Sequence, residues 1–442
     1  MDHAARDAGN YYSERNLSPQ KGRAAPPRGT MASLCSWRHA HGFANLMKAM
    51  VGSGLLTLPW ATAQVGVVVS VVGLALIAFL TQYAIRLLVR CLVAVNGAEL
   101  LAATAPRSDG SAATSSHGRS WEKISEAAFG APGVAISLAF LVSAQLGVCA
   151  SYLAFFATQL HDHGLFSSVR VAVLGSAAVI GVVCQLRRLQ NVALLSTAAL
   201  LVYSYVLALS WYYGAQAPPR TTPLRLADVG GVGAWFGPSI FAFEGIGPAI
   251  SVFESLGSDP EPFARVVTAA FSFNVVLYGA VAALGYAAWG DGVAQVLIDS
   301  FPDGGGSTSA ELALSISLAL SYAIQMTPVF ALLEGRLERS ESNLLADLAS
   351  TPLPRLAVVF VTALAALAVP NMEQLVSLTG AVSFSAIGFV LPGLFFLRLK
   401  PPPVGREPAR PRVDGFLSVL LVVLGVVGGT WGVITTLAAI AE

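Results

Sequence analysis

Two short stretches place polar groups and helix-breaking residues inside runs that are otherwise apolar. In "MVGSGLLTLPW" (50–60) they are Gly52, Ser53, Gly54 and Pro59. In "FAFEGIGPAISVFE" (241–254) they are Gly245, Gly247 and Pro248, beside the ionisable Glu244. Where a helix unwinds, backbone N–H and C=O groups lose their partners, and in apolar surroundings each must find another. The N–H groups that open a resumed half-helix favour negative charge. Gly52, Ser53 and Gly54 therefore suit a carboxylate, with the Ser53 hydroxyl as a further donor. Carbonyls freed across 241–246 suit an ammonium group. Together the two ends describe a zwitterion. Taken alone, the glycines of the first stretch also read as close-packing positions between helices.

The elements that must hold these residues follow from composition. Hydrophobic residues make up 55% of the 442-residue chain and charged ones only 12%, about half the charge of an ordinary soluble protein. Mean hydropathy is +0.66. Apolar runs of bilayer-spanning length recur along the sequence. Eleven helices are expected, near 41–64, 67–95, 133–160, 168–185, 190–214, 233–256, 264–289, 309–334, 354–370, 373–398 and 415–440. The chain thus reads as an all-α membrane protein in contact with the lipid bilayer. Residues 1–35 read as a disordered tail and 36–442 as the membrane domain. A net charge of +1 and the lack of a basic stripe with interleaved aromatics exclude a nucleic-acid partner.

Loop charges orient the helices. Of 26 Lys and Arg, only Arg170, Arg220 and Arg225 fall on one set of loops, and Lys48 lies inside the first helix. The rest lie on the N-terminal tail and the other set of loops, which predicts a cytosolic N-terminus. Cys35, Cys91, Cys149 and Cys184 offer no pair in outward loops, so no structural disulfide is expected.

The two interrupted stretches fall in helices one and six. Those are matching places if helices 1–5 and 6–10 are inverted repeats with helix eleven appended. Paired Gly/Pro-interrupted segments in such positions point to the central site of a secondary transporter. Glu244 at membrane depth is rare and functional by default, the natural group for proton coupling. The alternative is a permanent partnership with a basic group or backbone amides that only holds the fold. Lys48 reads as snorkelling to the cytosolic face or as that partner.

These segments resemble the amino acid/auxin permease family, most closely its proton-coupled amino acid transporter branch. The resemblance spans roughly 40–400. It is carried by "NLMKAMVGSGLLTLPWATAQVG" (45–66), "LGVCASYLAFFATQL" (146–160), "LRRLQNVALLSTAALL" (186–201), "FGPSIFAFEGIGPAISVFESLGSDPEPF" (236–263), "LGYAAWGD" (284–291) and "LTGAVSFSAIGFVLPGLFF" (378–396). It implies a LeuT-like fold of inverted five-helix repeats with broken helices one and six, alternating access, and small neutral amino acids as substrates. By position, it implies substrate contacts at Gly52, Ser53 and Gly54 and at Phe243, Glu244, Gly245, Ile246 and Gly247. Two positions depart from the pattern. Asn45 stands where the branch often has a histidine, and Lys48 where sodium-using relatives tend to have asparagine.

Other polar residues add to this site. Tyr152 is placed to close over a substrate, and a buried hydroxyl needs a partner. Gln325 can present polar groups, whereas Thr327 reads as a hydrogen bond beside Pro328. Phe243 reads equally as a pocket cap and as ordinary packing. Glu334, Arg336, Glu338 and Arg339 read as a solvated, mutually paired surface. No phosphate loop, zinc spacing or nucleophile elbow is present, so neither an enzyme nor a cofactor or metal is expected. The expectation is a proton-coupled transporter of small neutral amino acids toward the cytosol, in the plasma membrane or a vacuolar or lysosomal membrane. The alternatives are an amino acid sensor built on the transporter fold and an uncoupled facilitator.

Overall fold

The computed structural model describes residues 28–103, 116–185, 192–217, 223–340, 342–369, 371–404 and 410–441. Among them there is helix and no strand. This is what a bilayer demands of a single chain, because a helix satisfies its backbone groups within one segment. The expected first span is two helices, α1 (Arg28–Met50) and α2 (Gly54–Val65). There follow α3 (Val67–Ala103), α4 (Ser116–Asp162), α5 (Val169–Val183) and α6 (Val192–Gln216). The expected sixth span is again two helices, α7 (Val232–Ala242) and α8 (Ile246–Ser255). Then come α9 (Pro260–Trp289), α10 (Gly305–Glu338), α11 (Asn343–Ser350) and α12 (Leu353–Ala368). Helix α13 (Met372–Thr379) runs through two π-helical turns, Gly380–Phe384 and Ala386–Val390, into α14 (Leu391–Leu399). The last helix is α15 (Pro411–Ala441).

Seven helical stretches are long and apolar enough to cross a membrane: Val67–Gly97, Ser120–Asp162, Val232–Ser255, Pro260–Gly292, Gly305–Glu338, Met372–Leu399 and Pro411–Ala441. The apolar helices Val169–Val183 and Leu353–Ala368 are shorter. Several boundaries differ from the sequence expectation. Helix α1 begins at Arg28, so residues 28–35 are helical where a tail was expected. Residues 1–27 lie outside the described residues. Helix α4 extends well before position 133, across a kink at Gly130, whose φ of 66° is left-handed, next to Pro132. Arg187 and Arg188 are not among the described residues.

Local chemistry sets the ends. Asp259 caps α9 by accepting the Glu261 N–H at 3.0 Å, and Pro260 fills the first helical position, where no N–H is needed. Pro59 does not break its helix, since α2 continues through it. The centre of the molecule is built by α2 lying against α7, by α9 against α2 and α3, and by α10 against α4 and α6. Close approach of α2 to α7 requires Gly54. A Cβ there would meet the Phe241 ring at 2.8 Å and the Ala242 Cα at 3.0 Å.

The periphery is tied by buried charge. Arg90 on α3 pairs with Asp414 on α15 at 2.9 Å, Tyr83 donates to the same carboxylate at 2.7 Å, and Arg90 lies over the Phe396 ring. Glu334 is no solvated surface group. It accepts two bonds from the guanidinium of Arg355 on α12, which also holds the Cys184 carbonyl that ends α5.

Candidate functional site

The two breaks differ in what they leave open. At the first, the Met50 carbonyl is taken by the Tyr278 hydroxyl at 2.7 Å. The carbonyls of Gly52 and Ser53 accept from Leu55 and Leu56 as α2 resumes. The N–H groups of Gly52, Ser53 and Gly54 donate to no backbone carbonyl among the described residues. Ser53 is 1% exposed, and its hydroxyl closes no hydrogen bond, although the Tyr152 hydroxyl lies beside it. Unfilled donors in a buried place are costly, and here they converge at one helix N-terminus, where a negative charge is favoured.

At the second break the N-terminus is already served by the chain. The Glu244 carboxylate accepts the Gly247 N–H, two residues into α8. What stays open is acceptor capacity. The carbonyls of Ala242, Phe243 and Glu244 take no backbone N–H among the described residues, and Pro248 has none to give Glu244. So one break presents donors and the other presents acceptors and a carboxylate.

Both face a cavity of about 510 Å³. Helix α1 and the first break contribute Asn45, Lys48, Ala49, Val51 and Gly52. The second break contributes Glu244, Gly247, Pro248 and Ser251. Helix α4 adds Gln145 and Tyr152, α6 adds Leu200 and Tyr203, and α10 adds Ser321, Ile324 and Gln325. The cavity runs to Trp121, Glu122 and Leu332 at one end of the molecule. Among the described residues, none at the other ends of the same helices (160–169 and 290–304) lines it. Its lining thus reaches one end of these helices and not the other.

Of the residues singled out from sequence, Gly52, Tyr152, Glu244, Gly247 and Gln325 line this cavity. Ser53 and Gly54 sit behind Gly52, buried against the second break. Gly245 backs onto Met50 and Phe271, and Ile246 is 2% exposed. Phe243 does not cap the cavity. Its ring lies between Phe271 and Tyr278, with centroids 6.3 and 5.0 Å away. Thr327 bonds back to Ala323 in its own helix at 3.0 Å, which explains its polarity without a ligand.

Sequence reasoning missed Gln145, Tyr203 and Ser321, and it placed Lys48 at the membrane face rather than in the cavity wall. Part of this was legible. Asn45, Lys48, Ala49 and Gly52 stand at i, i+3, i+4 and i+7, one face of a helix. The π-helical turns after α13 were not foreseen. They lie against α7, where a Cβ on Gly380 would overlap the Gly237 carbonyl, and they bring Ile387 to the cavity wall. Such turns recur at functional sites.

Comparison with known proteins agrees with this geometry. A family model described as transmembrane amino acid transporter protein matches residues 36–438. The chain is similar to the amino acid transporter AVT3A of Arabidopsis thaliana, 28% identical over 407 residues, covering 88% of this chain and 87% of that one. It is likewise 28% identical to the amino acid transporter AVT3B of the same plant, covering 89% and 92% of the two chains. It is 22% identical to the amino acid transporter ANT1, covering 90% and 91%. A match over nearly the whole chain, on top of a cavity walled by two broken helices, shows that the chain belongs to the amino acid/auxin permease family of membrane transporters.

Proposed function

We propose that the protein is a secondary active transporter of small neutral amino acids, coupled to protons and moving substrate toward the cytosol by alternating access. The observation that carries this reading is the meeting of the two breaks at one open cavity. The open N–H of Gly52 faces the substrate carboxylate, with those of Ser53 and Gly54 behind it at the same helix start. The Glu244 carboxylate and the open carbonyls of 242–244 face its ammonium group. The wall from Tyr152, Tyr203 and Ile324 is apolar enough for a small side chain. Glu244 is the coupling group: protonation cancels the charge that holds the ammonium group.

An inverted repeat of five spans supports alternating access. Take α1/α2 through α6 as one half and α7/α8 through α13–α14 as the other. Exchanging the halves then maps observed packing pairs onto one another. The pair α4–α13 maps onto α10–α6, α4–α5 onto α10–α12, and α4–α12 onto α10–α5. We read α15 as an appended eleventh span, and the excess of lysine and arginine on one set of loops supports a cytosolic N-terminus. The cavity then opens to the cytosol. A plasma membrane or an acidic organelle supplies the proton gradient in the same sense.

One observation favours an uncoupled facilitator as the second reading. Glu244 already has a backbone partner in Gly247, a structural role that needs no proton exchange. Uptake of labelled glycine, alanine and proline into proteoliposomes, without sodium, separates the readings. Accumulation above equilibrium only under an inward proton gradient is expected. Equilibration regardless of gradient leaves a facilitator, and no flux at all refutes transport.

A further inference from the structure

The cavity holds two charges that the substrate site does not use. Lys48 on α1 and Glu122 near the start of α4 both line it, on separate elements and on the side where it opens. Both are half-buried, and neither forms an ion pair among the described residues. In this conformation the cavity is open and water can serve both. When that side closes, the water leaves, and a charge removed from water inside a membrane is costly unless it is paired. Glu244 is a poor partner for Lys48, because its carboxylate is engaged by the Gly247 N–H. Neighbouring charges are likewise committed: Glu254 accepts from Ser120 at 2.7 Å, and Arg398 donates to the Ala128 carbonyl at 3.2 Å.

We propose that Lys48 and Glu122 pair with each other when this side of the cavity closes, and that their ion pair is the latch of the closed state. The two are positioning residues for the transport cycle. Helix α1 ends at the first break and α4 is kinked at Gly130, so each residue sits on a segment set off from the rest of its span by a break in the helix. This inference rests on the alternating-access reading and not on the identity of the substrate.

The test is the labelling rate of Leu332→Cys at the cavity mouth by a hydrophilic maleimide, in nanodiscs and a Cys35→Ser background. Cys91, Cys149 and Cys184 are buried and do not compete. Lys48→Gln and Glu122→Gln are each expected to raise the rate about ten-fold, within the range of ordinary conformational couplings. Lys48→Arg and the swap Lys48→Glu with Glu122→Lys are expected to restore the parent rate. Restoration also shows that the single variants fold. Single variants that label at the parent rate overturn the latch, as does a swap that stays as open as the singles. If Lys48 pairs with Glu244 instead, Glu122→Gln is silent, which equally overturns it. Labelling needs no substrate, so a lack of amino acid flux would refute the transport reading while leaving this test standing.

Discussion

Gly52 and Gly54 stand two residues apart, and the structure gives them opposite jobs. A Cβ on Gly52 meets nothing within 4 Å, so it would project into the open cavity. A Cβ on Gly54 meets the Phe241 ring at 2.8 Å and the Ala242 backbone at 3.0 and 3.2 Å. The ring cannot simply turn aside, since it is buried and lies edge-on to Phe384 at 5.3 Å. Gly54→Ala must therefore push α2 from α7, an overpacking cost of about 1–3 kcal/mol. Gly52→Ala costs the fold nothing and gains about 0.4–1 kcal/mol by lowering the entropy of the unfolded chain. Its methyl group would stand where the proposed site holds the substrate carboxylate. Loss of one charge-assisted bond, about 1.5–3 kcal/mol, corresponds to roughly a ten- to hundred-fold weaker substrate affinity. Thermal unfolding in detergent, with and without substrate, reads both effects. The midpoint without substrate should fall for Gly54→Ala only, and substrate should fail to raise it for Gly52→Ala. Equal losses of stability in both variants, or full substrate protection of Gly52→Ala, would refute the reasoning.

Further outcomes follow from other contacts. Glu244→Gln keeps an oxygen for the Gly247 N–H, so the unfolding midpoint should hold while proton-driven accumulation is lost and exchange survives; a collapsed midpoint would make the residue structural. Asp414→Ala leaves Arg90 buried without its partner and should cost about 3 kcal/mol or more. Adding Arg90→Met should recover much of that loss in the same unfolding assay. Asp299, in the turn before α10, is pushed up to about 7 by desolvation and then by the nearby Glu311 and Asp162 carboxylates. A raised acid favours the folded arrangement when protonated, so its stabilising contribution is full below about pH 4 and fades as pH rises through 7. Asp299→Asn should therefore flatten the pH dependence of unfolding between those values, and an unchanged profile would count against the shift.

Sequence and structure agree where local chemistry decides and part where distant contacts do. The breaks were legible because Gly-Ser-Gly and Gly-Ile-Gly weaken a helix wherever they stand. Pro59 misled, because its position within α2 is tolerated by the packing around it. Phe243 shares a stretch with Glu244, yet its ring faces Phe271 and Tyr278, and only the placement of α9 settles that. The π-helical turns lie where Gly380 crosses Gly237, residues far apart in the chain and ordinary in local pattern. The Arg90–Asp414 pair bridges 324 positions, beyond any periodicity argument.

The central claim is that both charged ends of an amino acid are held, one at each break. Competition against alanine uptake by propionate, which keeps only the carboxylate, and by ethylamine, which keeps only the ammonium group, tests it most directly. The account predicts that neither competes at concentrations where unlabelled alanine abolishes uptake. Competition by either one as strong as that of alanine would contradict it.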